Sequence, residues 1–175
     1  MNESVAKLMV AVSDQVVCIK INGRGDFNLS LDLRKLLDEL RQRGYCRYVF
    51  ELRDCVMMDS TFLGILSGEG LKTCNGNTTP GSALELMNPN ARIAEVLENL
   101  GVAHLFKITQ CPDAAPVNYE PQAQAPDKSK VEITRTCLEA HQTLMGLHPA
   151  NVLRFKDVAE FLAQDLKRLE LAEKK

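Results

Sequence analysis

Three consecutive polar residues, Asp59, Ser60 and Thr61, stand where an apolar strand pattern gives way to an apolar helix pattern. Oxygen atoms at the first residues of a helix accept hydrogen bonds from backbone N–H groups that have no partner inside the helix. Those N–H groups and the helix dipole also favour negative charge at this position. The segment therefore predicts a helix cap, and it offers a hydroxyl whose phosphorylation the helix start would tolerate.

A second possible chemistry is cysteine catalysis. Cys18 and Arg24 have the spacing of a tyrosine-phosphatase loop, in which a thiolate attacks phosphorus and the arginine holds the phosphate oxygens. An apolar strand pattern runs through residues 18–21, however, and leaves no phosphate-binding loop directly after the thiol. We therefore expect Cys18 and Cys55 to be buried and unreactive, and the chain to have no catalytic turnover.

Metal binding is not indicated by the sequence. The six cysteines form no C-x-x-C pair, and the three histidines lie far from any cysteine cluster. His104 falls in an apolar strand pattern and His141 on a helical stripe, where a histidine serves the core or the surface more often than it binds a ligand. We expect reduced thiols, no metal and no cofactor.

The elements that position these residues alternate between strand and helix. Short apolar runs predict strands at 8–12, 16–21, 47–53, 83–87 and 104–108. Helical spacing of apolar residues predicts helices at about 29–40, 59–74 and 93–100. This alternation predicts an α/β fold with a mixed, mostly parallel sheet of about five strands flanked by helices, in which the first two strands form an antiparallel hairpin at the N-terminal edge.

The ends of the helices carry their own signals. Asn28 or Ser30 is expected to cap the first helix, and Asn90 to cap the third. Gly44 and Gly101 lie just past the last apolar residues of these two helices, where a glycine commonly ends a helix.

The second predicted helix contains Gly64, Gly68 and Gly70. Glycine inside a helix costs about 1 kcal/mol relative to alanine, so three of them need a reason. We expect them to allow close packing of this helix on the sheet, in preference to the approach of a partner's backbone.

Residues 111–127 differ from the rest of the chain, because four of the seven prolines fall there among polar residues and alanines. We expect a folded domain at 1–110, a semi-extended linker at 111–127 and a C-terminal pair of helices at 128–175. The last helix has an apolar stripe of Phe155, Val158, Ala159, Leu162, Leu166 and Leu169. Two helices alone bury too little apolar surface to be stable, so this stripe should dock on the chain's own domain or on a second copy, as a homodimer.

Charge and hydropathy exclude several classes of partner. A net charge of -2 does not predict binding to nucleic acid or to an anionic membrane. No apolar run approaches the ~18 residues that a bilayer-crossing helix needs, and the N-terminal residues lack a signal-peptide pattern. We expect a cytoplasmic protein with no nucleic-acid and no membrane partner.

Two longer segments, MMDSTFLGIL and LELMNPNARIAEVLENLGVAHLFKI, together with the order of elements, resemble the STAS domain of bacterial anti-sigma factor antagonists over about residues 5–109. The resemblance implies a regulator of transcription that works by partner switching. In that family the serine at this helix start accepts phosphate from a serine/threonine switch kinase that doubles as the anti-sigma factor. A PP2C-type phosphatase removes the phosphate.

Transferred residue by residue, the resemblance implies that Ser60 is the phosphorylated serine and Thr61 a secondary site. Asp59, Phe62 and Gly64 would join them on the surface that binds the partner, with Phe62 standing where the family usually has glycine. A phosphate on Ser60 adds a charge of about -1.5 to -2 beside Asp59, which would disfavour docking on an acidic or apolar partner face.

Other functions remain open for the same fold. A constitutive scaffold subunit of a signalling assembly would keep the fold without the switch, and a small-molecule or lipid-handling STAS protein would use it to hold a ligand. An enzyme is the least supported, because the sequence shows no acid/base or nucleophile-base constellation.

Overall fold

The computed structural model describes residues 6–72, 84–113, 117–124 and 127–174. Its elements are β1 (Lys7–Ser13), β2 (Val16–Gly25), α1 (Phe27–Gln42), β3 (Arg47–Glu51), β4 (Cys55–Met58), α2 (Ser60–Leu71), β5 (Leu84–Met87), α3 (Ala91–Asn99), β6 (Lys107–Thr109), β7 (Glu120–Pro121), α4 (Lys130–Leu147) and α5 (Pro149–Glu173). A single 3-10 turn, Ala103–Leu105, precedes β6. Within these described ranges, no helix is long and apolar enough to cross a membrane.

The sheet is mixed and mostly parallel, as predicted. Its strand order is β6-β5-β3-β2-β1-β7, and β4 pairs with the end of β2. β1 runs antiparallel to both of its neighbours, whereas the other pairings are parallel. The sequence prediction of about five strands missed β4, which directly precedes α2, and β7, which has only two residues.

The main core lies between the sheet and the first three helices. Val17, Ile19 and Ile21 of β2 are fully buried and alternate with partly exposed residues, as in a strand with one covered face. The leucines of α1 and apolar residues of α2 and α3 join them in one continuous cluster. This packing holds α1 and α2 beside each other over the sheet.

The first helix begins earlier than predicted. Asp26 caps α1, and the prediction of Asn28 or Ser30 as its cap is wrong. The carboxylate of Asp26 accepts hydrogen bonds from the N–H groups of Asn28 and Leu29, at 3.0 and 3.1 Å. These bonds satisfy donors of the first turn, and the helix begins at Phe27, two residues before the first leucine of the stripe.

Other helix ends follow the prediction. Asn90 caps α3 through its side chain. Gly44 and Gly101 follow α1 and α3 with φ angles of 88° and 66°, in the left-handed region that favours glycine. Helix α2 ends at Leu71, and the predicted end near Cys74 lies outside the described residues.

The predicted last strand, 104–108, is wrong in its first half. The N–H of Phe106 donates to the carbonyl of Ala103 at 3.2 Å, which closes a 3-10 turn. This turn buries the side chains of Leu105 and Phe106, so their apolar character reflects the core and not a strand. Strand pairing with β5 starts at Lys107.

Part of the predicted linker is a strand of the sheet. β7 pairs antiparallel with β1, and the N–H of Gln122 donates to the carbonyl of Leu8 at 2.9 Å. An edge strand tolerates Pro121, because proline lacks only an N–H that would face away from the sheet. Residues 117–124 therefore cover the β1 edge.

The two C-terminal helices dock on their own chain. Helix α4 packs on α2 and α1, and α5 packs along α4. In the apolar stripe predicted for α5, Ala159 is buried and Phe155 packs against the main core, whereas Val158 is 44% exposed. The stripe is thus covered within one chain along part of its length.

Candidate functional site

The candidate site lies where β2 and β4, which are parallel neighbours, both end. The N–H of Asp59 donates to the carbonyl of Gly25 at 2.9 Å, so the first turns of α1 and α2 start side by side. Asp59 Oδ1 accepts a hydrogen bond from the N–H of Phe62, and Oδ2 accepts one from the N–H of Phe27, each at 2.8 Å. One carboxylate therefore caps two helices.

Burial raises the pKa of Asp59, and the nearby charge of Asp26 acts in the same direction. The hydrogen bonds from Phe62 and Phe27 oppose this rise but do not cancel it. A further negative charge on the neighbouring Ser60 would meet an already crowded pair of carboxylates.

Ser60 is the first residue of α2, and its hydroxyl contacts a histidine of α4. Ser60 Oγ lies 2.9 Å from His141 Nε2, and His141 Nδ1 lies 2.7 Å from the carbonyl oxygen of Cys137. A carbonyl only accepts, so Nδ1 carries a proton, and in the neutral imidazole Nε2 accepts from the Ser60 hydroxyl. The imidazole is 6% exposed, and Phe155 packs edge-on against it with the ring centroids 5.1 Å apart.

Thr61 and Gly64 lie under α4. Thr61 is 4% exposed, and its Oγ1 lies 3.6 Å from Cys137 Sγ. A Cβ atom added at Gly64 would lie 2.5 Å from the carbonyl oxygen of Ala140, so the two helix backbones are in direct contact there.

These contacts correct the interpretation of the helix glycines. Gly64 allows the approach of α4, and Gly68 faces the same helix, because its added Cβ would lie 3.7 Å from Thr143 Cγ2. Gly70 faces Leu105 and Phe106. Close packing was expected, but at Gly64 the neighbour is a helix and not the sheet.

Phe62 belongs to the main core. Its side chain is fully buried, and a Cβ at Gly25 would lie 3.0 Å from its ring. Of the residues predicted on a partner-binding surface, Asp59 and Ser60 are partly exposed at the helix start, whereas Thr61, Phe62 and Gly64 are buried within the chain. His141 completes the site and was not predicted, because it lies 81 positions from Ser60.

The pair of Ser60 and His141 has the form of a nucleophile and its base. The Cys137 carbonyl orients the imidazole, and the start of α2 supplies N–H groups that favour negative charge. Catalysis would also need space for a substrate beside the hydroxyl. On the α4 side of Ser60 that space is filled by the buried His141 ring.

Burial disfavours the thiolate form of both Cys18 and Cys55. Burial raises the pKa of Cys55 to about 11. Burial, with smaller contributions from Glu51 and Glu85, also raises the pKa of Cys18. The prediction of burial is correct for Cys55 and wrong for Cys18, which lies on the less covered face of β2 and is only half-buried. Among the described residues, no group of three or more His, Cys, Asp or Glu side chains could hold a metal ion.

Comparisons of the sequence with protein-family models and with curated proteins found no match. Solved structures do match. A protein from Thermotoga maritima assigned as an anti-sigma factor antagonist has a TM-score of 0.52 and 21% identity, over 59% of this chain and 86% of that one. The anti-sigma factor antagonist SpoIIAA in its unphosphorylated form has a TM-score of 0.50 and 14% identity, over 61% and 89%.

An anti-sigma factor antagonist from Mycobacterium paratuberculosis matches with a TM-score of 0.51 and 14% identity, over 65% of this chain and 92% of that one. The chain has the STAS fold. This finding confirms the fold expected from the resemblance. In this STAS fold the Asp59-Ser60 segment stands at the start of α2, with α4 of the same chain lying against it.

Proposed function

We propose that this chain is a regulatory module of the anti-sigma factor antagonist type. It binds a serine/threonine switch kinase that doubles as an anti-sigma factor, and phosphorylation of Ser60 releases it. The observation that carries the proposal is the hydroxyl of Ser60 at the start of α2 in a STAS fold, in the same turn as the double cap Asp59. A PP2C-type phosphatase would reset the switch, and the cytoplasm is the compartment in which we expect it to act on transcription.

Electrostatics supports a switch that changes binding without unfolding the chain. A phosphate would add about -1.5 to -2 charge next to Asp59 and Asp26, which would repel an acidic or apolar partner surface. The dipoles of α1 and α2 favour negative charge at their starts and would offset part of this charge within the chain. We therefore expect the phosphorylated chain to stay folded.

The experiment is a pull-down from the organism that makes the protein, with tagged full-length variants and mass spectrometry of what they retain. We expect phosphate at Ser60 in cells, a kinase retained by wild type and Ser60→Ala, and its loss from Ser60→Asp. Ser129→Asp is the matched control, since it adds the same charge at the exposed start of α4 and should retain the kinase.

A constitutive scaffold is the second candidate, because the hydrogen bond between Ser60 and His141 keeps the hydroxyl engaged within the chain. Absence of phosphate from Ser60, with equal retention of partners by Ser60→Asp and wild type, would support the scaffold and contradict the switch.

We also propose that the Ser60–His141 pair does not catalyse turnover. A fluorophosphonate probe tests this, because attack by Ser60 Oγ would form an oxygen–phosphorus bond, expel fluoride and leave a stable adduct. We expect no adduct at Ser60. An adduct that forms on wild type and is lost in His141→Gln would show a working nucleophile and base, and would overturn the proposal.

A further inference from the structure

Helix α4 covers part of the surface that the proposed partner would need. Ser60, Thr61 and Gly64 all touch α4, and these are three of the five residues predicted to bind the partner. In this structure the occupant of that face of α2 is therefore a helix of the same chain.

A phosphate on Ser60 would compete with the His141 ring for the space beside Oγ while α4 is packed. A phosphoryl group places a phosphorus atom and three oxygens on Oγ. The His141 ring already lies at hydrogen-bonding distance from Oγ, and the Cys137 carbonyl holds the ring in place. Phosphorylation would also remove the hydroxyl proton that Nε2 accepts, so the bond that joins the two helices at this point would be lost.

The first part of α4, residues 130–139, is held by charged side chains as well as by the buried Val131 and Leu138. Three ion pairs tie it and the residue before its cap to α1: Lys128–Asp32, Glu132–Lys35 and Glu139–Arg34. In the last two pairs the side chains are 38–47% exposed, and exposed pairs contribute little to stability. The first pair is buried, and the cost of removing its charges from water offsets much of their attraction.

The C-terminal end of α4 is held differently. Leu144 is fully buried and belongs to the main core. Asn151, in the first turn of α5, donates from Nδ2 to the carbonyls of Leu144 and Leu100, both at 2.9 Å. The C-terminal end of α4 is thus fixed in the main core by Leu144, whereas the buried residues before it, such as Val131, Leu138 and Ala140, do not belong to that core.

We propose that α4 is a built-in lid over Ser60, and that α4 docking and phosphate on Ser60 exclude each other. The lid opens by movement of residues 130–141 away from α2, while Leu144 stays anchored in the main core. By linkage, whatever opens the lid exposes Ser60 to a kinase, and phosphate on Ser60 in turn favours the open lid. The inference rests on the proposed function for the phosphate, but the lid itself can be tested without any partner.

Gly64→Ala is the variant that should open the lid, and Gly68→Ala is its matched control. Alanine favours the α2 helix at both positions. At Gly64 its Cβ would lie 2.5 Å from the backbone of Ala140, whereas at Gly68 it would make only an ordinary contact with Thr143. The two variants therefore differ in their effect on α4 and not on the helix that carries them.

The measurements are the alkylation rate of Cys137 and the hydrogen exchange of the amides of 131–141, both by mass spectrometry on the full chain. Cys137 belongs to the lid and faces Thr61 of α2, and burial raises the pKa of its thiol, so it reacts slowly while the lid is closed. We expect Gly64→Ala to speed alkylation about tenfold or more, with β2 still protected, and Gly68→Ala to match wild type. Equal rates in wild type and Gly64→Ala would overturn the lid.

Ser60→Asp supplies a second and independent test, with Ser60→Ala as its control. We expect Ser60→Asp to speed alkylation of Cys137 more than Ser60→Ala, because the carboxylate brings charge beside Asp59 as well as removing the hydroxyl. If Ser60→Asp releases a bound kinase while Cys137 stays fully protected, the proposed function survives and the lid is wrong. If the lid opens but no phosphate occurs at Ser60 in cells, the lid survives and the proposed function is wrong.

Discussion

The carboxylate of Asp59, which caps α2, also accepts a hydrogen bond from the N–H of Phe27, the first residue of α1, at 2.8 Å. The two residues are 32 positions apart. Because each helix leaves its first N–H groups without partners, a single side chain that satisfies donors of both helices fixes one start relative to the other. The position of Ser60 is therefore set by both helices.

Asp59→Ala should destabilise the protein more than Asp59→Asn. Asparagine keeps an oxygen for the N–H of Phe62, but its NH2 group faces the N–H of Phe27, so one of the two bonds is lost. We expect alanine to lower the free energy of unfolding by about 1–2 kcal/mol and asparagine by roughly half of that. Urea unfolding measures both. Equal losses would show that the bond to Phe62, which asparagine keeps, contributes nothing.

The fold could be predicted where the sequence pattern is long enough to show a period. The leucine stripe of α1 and the alternation in β2 extend over several turns or residue pairs, so both elements were predicted. β7 has only two residues, too few for any period to appear, and β4, with the sequence CVMM, shows no alternation of apolar and polar residues. β7 also contains Pro121, which ordinarily argues against a strand.

Only the part of the site that is formed by consecutive residues could be predicted from the sequence. Asp59 and Ser60 were found because a helix start has a chemical signature within a few residues. His141 could not be found, since its contact with Ser60 depends on how α4 packs and not on sequence spacing. Gly64 signals that some backbone comes close, but the glycine cannot show that the neighbour is Ala140.

Glu85 should make stability fall in acid. Burial alone would raise its pKa, but hydrogen bonds from Thr109 and Lys107 and the charges of Lys107 and Arg47 together lower the pKa below its ordinary value of 4.5. A lowered pKa means that the folded state prefers the carboxylate, so this stability is present above pH 4.5 and is lost as the pH falls through the folded pKa.

Glu85→Gln should therefore flatten the acid limb of the stability curve, measured by urea unfolding at several pH values between neutral and acid. Glu173→Gln, which removes a carboxylate from the exposed end of α5, should leave the curve as in wild type. If the free energy of unfolding of Glu85→Gln falls in acid as much as that of wild type, the bonds between β5 and β6 do not depend on this charge.

Thiols that are more exposed and have a lower pKa should react faster with iodoacetamide. Cys111 is exposed and should react first, whereas Cys55 is buried with a pKa of about 11 and should react last. Cys18 is half-buried with a raised pKa and should fall between them. Peptide mass spectrometry gives the order. Fast labelling of Cys18, with hydrolysis of an aryl phosphate that is lost in Cys18→Ser, would contradict the absence of cysteine catalysis.

Asn151→Ala should destabilise the protein more than Arg154→Ala. Asn151 is fully buried, and its Nδ2 donates to the carbonyls of Leu100 and Leu144. These carbonyls lie at the ends of α3 and α4, where the helix itself supplies no N–H partner. Removing the donor leaves both carbonyls buried and unpaired, so Asn151→Ala should cost about 2–4 kcal/mol in the free energy of unfolding. Arg154→Ala removes an exposed donor to Asn99 and should cost about 1 kcal/mol or less. Equal losses in the two variants would show that α4 is not anchored through Asn151.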